Sequence, residues 1–278
     1  MILLEGKKIK ESIFEDIKEK VSRLDRKPTL AVISTIFDSG SDIYINNKRK
    51  MCEIVGYDFR YFNCENSSEE EILALIDRLN RYDDIDGILL QLPLREDIDC
   101  NKMINSIDYR KDVDGITDVN MGKLLNNSPY LCSCTSLGII RILDEYSIDV
   151  SGKNIVILGR SRLVGKPLFS MLLNRDATVT LCHNKTKNLE NYIKNADVLV
   201  VAIGKKNFIK KDMIKDNCII IDVGINKLED GSIVGDVDFN SVCSKVSYIT
   251  PVPLGVGQMT VAMLCKNVYG AYMKREQK

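Results

Sequence analysis

The chain has 278 residues, 45% hydrophobic and 28% charged, which suits one large domain or two small ones. Its 39 basic residues balance its 39 acidic ones, so no basic surface for nucleic acid is indicated, and no apolar run approaches the roughly 20 residues of a membrane span. The nine cysteines form no C-x-x-C pair that could join the single histidine, His183, in a metal site. We therefore expect a cytoplasmic protein with reduced thiols and no metal, membrane or nucleic-acid partner.

The first half of the chain predicts alternating helices and strands. Apolar residues recur at helical spacing up to about Leu24, which predicts an opening helix. A strand at 29–36, a helix at about 41–55 and a second strand at 57–64 follow. Ser67 and Ser68, with Glu70 and Glu71, form overlapping capping boxes before a helix whose buried stripe starts at Ile72. A third strand covers 86–94, and a short helix lies near 99–107. This half therefore reads as a small β-α-β-α-β domain.

A lysine lies among the core-facing residues of the second helix. Tyr44, Lys48, Met51 and Val55 follow the spacing i, i+4, i+7, i+11. In one interpretation, Lys48 extends its amine to water, as most such lysines do. In the other, the amine is partly desolvated, which lowers its pKa from the ordinary value of roughly 10.4 and suits it to proton exchange. Tyr44 lies one turn earlier, and its hydroxyl could reach the amine or a shared ligand.

Two polar features follow in the first half. Gln91 interrupts an apolar strand, either because its amide bonds a loop or because it serves a ligand at the carboxyl end of that strand. Asp112 and Asp114 flank one apolar residue and point the same way in an extended segment. They are either turn caps or, for one of them, a ligand for N–H donors.

The second half predicts a parallel, doubly wound sheet, because strands at 155–159, 177–183, 197–204 and 218–225 alternate with helical segments. A helix over 136–147 precedes them. The strand ending at Gly159 leads through a glycine turn to Gly165 and to a helix that Pro167 opens, an arrangement that favours an anion. The spacing departs from G-x-G-x-x-G, so a plain strand–helix turn remains an alternative to a dinucleotide site.

The end of the second strand of this half indicates the cofactor. NAD sites usually place an acid there for the ribose hydroxyls, whereas this strand runs into Cys182-His183-Asn184-Lys185. Arg160 follows the first glycine directly. Arginine, asparagine and lysine around one ribose suit a 2′-phosphate, which predicts NADP rather than NAD.

In the C-terminal part, Asp230-Gly231 predicts a hairpin. The loop over 250–257 is rich in Pro and Gly, and we expect it to lie against a ligand. A closing helix over 259–278 is expected to return to the first lobe. The predicted fold is therefore α/β with two lobes: a first domain at 1–118 with the closing helix 259–278, and a Rossmann-like domain at 119–258.

Together these segments resemble one family over nearly the whole chain, the bifunctional methylenetetrahydrofolate dehydrogenase/methenyltetrahydrofolate cyclohydrolase of one-carbon metabolism. Seven motifs in the same order carry the resemblance: Ser41-x-x-Tyr44-x-x-x-Lys48, Asp86-Gly-Ile-Leu-Leu-Gln91-Leu-Pro93, Lys111-Asp-Val-Asp114-Gly115, Gly159-Arg-Ser-x-x-Val-Gly-x-Pro167, Asp222-Val-Gly-Ile-Asn226, Gly235-Asp-Val237 and Ile249-Thr-Pro-Val-Pro253.

The resemblance implies roles for individual residues. Lys48 would be the central catalytic residue, tuned by Gln91, with Tyr44 and Asp114 also catalytic. Folate would contact Tyr44, Gln91, Leu92, Pro93, Asp114, Leu254 and Gly255. NADP would contact Thr135, Gly159, Arg160, Ser161, Val164, Gly165, His183, Asn184, Ala202, Gly204 and Ile225. The partners would be tetrahydrofolate one-carbon derivatives and a second copy of the chain, in a homodimer that forms through the cofactor lobe.

The sequence departs from the family pattern at two places. Ser133-Cys-Thr-Ser136 replaces P-C-T-P, and Pro253-Leu-Gly-Val-Gly-Gln-Met-Thr260 replaces P-G-G-V-G-P-M-T. Leu254 would be strained if its φ is positive. The altered loop leaves a dehydrogenase without hydrolase activity as an alternative, and the irregular glycine spacing leaves a non-catalytic dinucleotide-binding protein as a second one.

Overall fold

The computed structural model describes residues 1–36 and 39–276; the side chains of 39–42, among them Ser41 of the first motif, lie outside this description. The chain divides into two compact units. The large-sheet unit comprises Met1–Lys10 and Thr135–Thr260, and the small-sheet unit comprises Glu11–Cys134 and Val261–Lys278. Within the described ranges, no helix is both long and apolar enough to cross a membrane.

Strands and helices alternate through most of the chain. The strands are β1 (Ile2–Leu3), β2 (Thr29–Ser34), β3 (Asp58–Asn63), β4 (Gly87–Leu90), β5 (Asn154–Leu158), β6 (Thr178–Cys182), β7 (Val198–Val201), β8 (Ile219–Asp222), β9 (Asn226–Lys227), β10 (Ile233–Val234) and β11 (Tyr248–Ile249). The α-helices are α1 (Lys7–Val21), α2 (Ser39–Val55), α3 (Glu69–Arg81), α4 (Cys100–Ser106), α5 (Asp118–Leu125), α6 (Cys134–Glu145), α7 (Gly165–Leu173), α8 (Leu189–Lys194), α9 (Phe239–Val242) and α10 (Val256–Glu276), and a 3-10 helix covers Lys211–Met213.

The small-sheet unit is built on a parallel sheet with the strand order β3-β2-β4. Every residue of the central strand β2 and of its neighbour β4 is buried, as is typical of strands in a parallel sheet. The backbone of Asp112 pairs in parallel with Ile88 and so adds one bridge beside β4. The chain passes from β2 to β3 on one side and then to β4 on the other, so the order reverses at the carboxyl ends of β2 and β4. Ligands of open α/β sheets bind at such a reversal.

The predicted capping box is formed at the start of α3. Glu71 N donates to Ser68 Oγ, and Ser68 N donates to Glu71 Oε2 at 2.8 Å. The buried residues of this helix are those of the predicted stripe, Ile72, Leu75, Ile76 and Leu79. The strand expected at 86–94 is shorter, because β4 ends at Leu90 and Gln91 begins the following loop.

The large-sheet unit contains six parallel strands in the order β1-β11-β8-β7-β5-β6. The predicted doubly wound α/β fold is therefore confirmed. The order reverses beside β5, since β6 lies on one side of it and β7 on the other. Strands β9 and β10 form a separate antiparallel pair, which is the hairpin predicted at Asp230-Gly231.

The closing helix α10 begins at Val256, slightly earlier than expected, and residues 277 and 278 of the predicted helix lie outside the described residues. From Val261 onward it belongs to the small-sheet unit. There, the Tyr57 hydroxyl donates to the Cys265 carbonyl at 3.0 Å. The expected return of the helix to the first lobe is thus observed.

Candidate functional site

Lys48 and Gln91 meet at the reversal point of the small sheet. Lys48 lies on α2, which follows β2, and Gln91 follows β4 directly; its backbone N–H donates to Ile33 O of β2 at 2.8 Å. Lys48 Nζ donates to Gln91 Oε1 at 2.6 Å. The Gln91 amide nitrogen is engaged elsewhere, donating to Leu92 O at 2.9 Å. The side-chain amide is therefore oriented with its oxygen toward the amine.

The Lys48 amine is in the environment that suits proton exchange. Burial disfavours its charged form and lowers its pKa from the ordinary value of 10.5, against the opposing influence of Asp114 and Cys134. Its hydrogen-bond partner is a neutral amide, which stabilises an ammonium less than a carboxylate at the same distance does. Lys48 is half-buried, so its amine is partly desolvated and does not extend to water.

The structure separates the roles of the two aspartates. Asp112 is buried and accepts N–H bonds from Gly115 at 2.9 Å and Thr117 at 2.8 Å, and from the Asn120 amide at 2.9 Å. It is therefore the turn cap. Asp114 is half-buried and carries no such set of backbone bonds among the described residues. Burial and then the Asp112 charge raise the Asp114 pKa to about 6, while Lys48 and the Cys134 thiol act in the opposite direction.

Two neighbours of this cluster were missed by the sequence reasoning. Burial first, and then the charge of Asp114, raises the pKa of the Cys134 thiol well above its ordinary value. Asn267 of α10 donates to Val113 O and Cys132 O at 2.8 Å each, so it fixes the backbone on both sides of this cluster. Cys134 lies within the S-C-T-S segment and so had a signal. Asn267 is a buried amide on an apolar helix far along the chain and had none.

Tyr44 does not face the core as its helical spacing suggested. Its side chain is 47% exposed, and its ring centroid lies 6.0 Å from Lys48 Nζ. The stripe is buried farther along α2, at Met51 and Val55, and opens toward solvent near the start of the helix. The exposed ring of Tyr44 therefore lies beside the Lys48 amine. Pro93 is also exposed, and Leu92 is half-buried.

Close backbone contacts in the turn after β5 explain the irregular spacing of its two glycines. Gly159 has φ +114°, and a Cβ there would lie 2.2 Å from Ala202 O. A Cβ on Gly165 would lie 1.9 Å from Gly159 O. Both positions therefore need glycine for close backbone approach at the reversal beside β5. Val164 N donates to Ser161 Oγ at 3.1 Å, and Val164, the N-cap residue of α7, makes no side-chain capping bond.

The side chains proposed for the ribose lie at the ends of β5 and β6. These ends are adjacent, because Gly159 N donates to Cys182 O at 2.9 Å. Arg160 and Asn184 are exposed there, and no acid follows β6 directly. His183 is half-buried; its Nδ1 accepts from Lys185 N at 3.1 Å, which places the proton of the neutral ring on Nε2.

The remaining predicted contacts of the large-sheet unit lie in its loops. Thr135 Oγ1 is 3.2 Å from Thr260 Oγ1. Ala202 is half-buried, and Gly204, with φ +64°, and Ile225 are exposed. Within the described ranges, no group of three His, Cys, Asp or Glu side chains could hold a metal ion.

Leu254 is strained, as its replacement of a family glycine suggested. Its φ is +86°, a conformation that costs a leucine of order 1–3 kcal/mol, and 46% of its side chain is exposed. Its carbonyl accepts from Gly6 N at 2.9 Å. At the next residue, a Cβ on Gly255 would lie 2.5 Å from Pro251 O, so this loop is closely packed.

Comparisons with known proteins agree with this architecture. The family model described as tetrahydrofolate dehydrogenase/cyclohydrolase, catalytic domain, matches residues 4–114, and the NAD(P)-binding domain of the same family matches 133–276. A bifunctional protein FolD from Campylobacter hominis is 48% identical over 271 residues, covering 96% of this chain and 95% of that protein.

Two crystal structures support the same assignment. The bifunctional FolD methylenetetrahydrofolate dehydrogenase/cyclohydrolase of Campylobacter jejuni has a TM-score of 0.95 at 45% identity, covering 99% of both chains. The Trypanosoma brucei FolD, complexed with NADP cofactor and inhibitor, has a TM-score of 0.93 at 30% identity, covering 100% of this chain and 99% of that one. The chain belongs to the tetrahydrofolate dehydrogenase/cyclohydrolase family.

Proposed function

We propose that the chain oxidises 5,10-methylenetetrahydrofolate to 5,10-methenyltetrahydrofolate with NADP and hydrolyses the product to 10-formyltetrahydrofolate, with Lys48 as the central acid/base group. Both domains of the bifunctional family match, which favours two activities over a dehydrogenase alone or a non-catalytic protein. The observation that carries the assignment of Lys48 is its 2.6 Å bond to the neutral Gln91 amide together with its lowered pKa.

The residues of the glycine turn fit a dinucleotide. Gly159 and Gly165 let the backbone fold closely enough to direct its amides at a pyrophosphate beside the start of α7. Arg160 and Asn184 would hold the 2′-phosphate. The rest of the site would comprise Thr135, Ser161, Val164, His183, Ala202, Gly204 and Ile225. NADP supplies the acceptor for the hydride that leaves the folate.

The oxidation step needs positioning more than proton transfer. Asp114, when ionised, would accept the N–H groups of the pterin, and Tyr44 would cover its ring. Gln91, Leu92 and Pro93 would line the same site. The resemblance to the family also assigns folate contacts to Leu254 and Gly255. Holding the pterin fixes the carbon from which the hydride departs.

The hydrolysis step needs a group that takes and returns a proton. In our proposal, the neutral Lys48 amine takes a proton from water as the water oxygen bonds to the methenyl carbon. The amine then gives this proton to N5 as the C–N5 bond breaks, and the hydroxyl proton leaves to solvent. A neutral amine suits a cationic substrate, because an ammonium beside it would add repulsion.

Domain roles and assembly are part of the same proposal. Residues 1–118 with 259–278 would bind folate, and 119–258 would bind NADP. A homodimer through the cofactor lobe is supported by β6, an edge strand whose Val179 and Leu181 are only half-buried. A cytoplasmic location is supported by the nine cysteines, all of which are free thiols.

One spectrophotometric experiment tests the function. Methylenetetrahydrofolate is supplied with NADP or NAD, and reduced nicotinamide and methenyltetrahydrofolate are followed together. We expect NADPH to form and supplied methenyltetrahydrofolate to decay faster than in buffer. Methenyltetrahydrofolate that accumulates and decays at the buffer rate would leave a dehydrogenase alone, and the absence of reduced nicotinamide would contradict the proposal.

A further inference from the structure

A buried carboxylate organises the loop that follows β7. Asp236 is 0% exposed. Its Oδ2 accepts the backbone N–H of Ile203 at 2.8 Å and of Gly204 at 3.0 Å, and its Oδ1 accepts that of Lys205 at 2.8 Å. Three consecutive amides of one loop are thus bound to one side chain. The fold alone does not require this arrangement, because an exposed loop can bond to water instead.

Asp236 is itself held by a second buried carboxylate. Asp222, at the end of β8 and 4% exposed, accepts the N–H of Asp236 and of Val237 at 3.0 Å each, and that of Gly224 at 2.9 Å. Asn226 completes the set by donating from its amide to Asp236 Oδ1 at 2.9 Å. The motifs Asp222-Val-Gly-Ile-Asn226 and Gly235-Asp-Val237 therefore act as one unit that fixes the 203–205 amides.

The packing leaves the two carboxylates little freedom. A Cβ on Gly224 would lie 2.4 Å from the Asp236 side chain, and one on Gly235 would lie 1.8 Å from Asp222 Oδ2. The four N–H groups that Asp236 accepts are all neutral. A buried carboxylate is costly unless hydrogen bonds stabilise its charge, so removing that charge leaves several donors with a poorer acceptor.

The loop held in this way lies at the reversal point of the large sheet. Ala202 N donates to Leu158 O at 2.9 Å, and the Ala202 carbonyl is the atom that a Cβ on Gly159 would meet. A dinucleotide in a fold of this class crosses the sheet at this reversal. The backbone conformation of 202–205 therefore shapes one wall of the proposed nucleotide site.

We propose that Asp236 is a positioning residue for cofactor binding, which sets the conformation of the 202–205 loop against the nicotinamide nucleotide through its bonds to three consecutive amides. The inference rests on the proposed function of the large-sheet unit. It adds that the affinity for the cofactor depends on a carboxylate that does not itself reach the ligand.

The test substitutes Asp236→Asn, which keeps the shape of the side chain but places an NH2 group against backbone donors. We expect the KM for NADP to rise at least tenfold, with the KM for methylenetetrahydrofolate and the rate of methenyltetrahydrofolate hydrolysis within threefold of wild type. Hydrolysis needs no hydride transfer, so it reports whether the rest of the protein is intact. An unchanged KM for NADP, or an equal fall in both activities, would overturn the inference.

A milder variant decides the question if Asp236→Asn does not fold. Asn226→Ala removes one bond to Asp236 Oδ1 and leaves the three backbone bonds. We expect a two- to fivefold rise in the KM for NADP. Ser232→Ala in the same hairpin, whose hydroxyl bonds only to Asp230 among the described residues, is the matched control and should leave it unchanged. Equal KM values for NADP in the two variants would overturn the inference.

Direct titration of wild type with NADP separates this outcome from failure of the proposed function, in which wild type itself would not bind.

Discussion

Lys48 Nζ lies 2.6 Å from Gln91 Oε1, and the other end of the Gln91 amide is bound to the Leu92 carbonyl. The amine therefore has a fixed, neutral acceptor. A carboxylate in the same place would hold the amine as an ammonium, whereas an amide leaves the pKa lowered by burial. The identity of residue 91 should therefore influence the proposed proton transfer through the pKa of Lys48.

Gln91→Glu tests this relationship. A carboxylate at hydrogen-bond distance should raise the pKa of Lys48, and we expect the pH–rate profile of hydrolysis to move upward by about 1–3 pH units. The profile is measured with supplied methenyltetrahydrofolate across the accessible pH range. Asn47→Asp adds the same charge at an exposed position of α2, where solvent screens it, and should leave the profile in place. A profile that does not move in Gln91→Glu would contradict the proposed coupling.

Asp114 predicts a pH dependence of folate binding. Its pKa is raised to about 6, so the carboxylate is charged above that pH and becomes protonated below it. A protonated carboxyl is a weaker acceptor for pterin N–H groups, and the KM for methylenetetrahydrofolate should rise as pH falls through 6, by about tenfold per pH unit below it. Steady-state kinetics from pH 5 to 8 measure this. Asp114→Asn should abolish the dependence, and exposed Asp83→Asn should retain it.

Arg160 predicts the preference for NADP. Loss of a charge-assisted bond to a phosphate costs about 1.5–3 kcal/mol, so Arg160→Ala should raise the KM for NADP by roughly 10- to 100-fold. The KM for NAD should stay the same, because NAD lacks the phosphate. Exposed Lys187→Ala serves as a control for general surface charge. Equal losses with both cofactors would place the 2′-phosphate elsewhere.

Leu254 predicts a gain in stability. Leu254→Gly removes the cost of the positive φ, about 1–3 kcal/mol, against a backbone entropy loss of about 0.5–1 kcal/mol. We expect a small rise in the thermal midpoint, measured by calorimetry. Leu254→Ala keeps a Cβ and therefore the strain, so it should show no such rise. A higher midpoint in the alanine variant than in the glycine variant would show that the exposed side chain, not φ, sets the cost.

Local signals predicted the elements whose stabilising contacts are near in sequence. The capping box of Ser68 and Glu71 and the stripe of α3 are examples, because both partners of each contact lie within one or two turns. The glycines at 159 and 165 likewise carried their own signal, although their spacing was unusual.

Contacts between distant segments were not predictable in the same way. Strands β1 and β11 have two residues each and form only because neighbouring strands supply their hydrogen bonds. The sequence spacing of Asp112 and Asp114 gave no reason to assign them different roles. In the structure, the amides of Gly115 and Thr117 donate to Asp112, which makes it a turn cap. The exposure of Tyr44 depends on which segments pack against its part of α2, which helical periodicity does not encode.

The most direct test of the account is the hydrolysis of methenyltetrahydrofolate by Lys48→Met. Removing a general acid/base should lower this rate by about 10²–10⁴-fold, while the Kd for NADP stays at the wild-type value. Lys50→Met, an exposed lysine on the same helix, is the matched control and should keep full activity. Full hydrolase activity in Lys48→Met would contradict the central role of this amine.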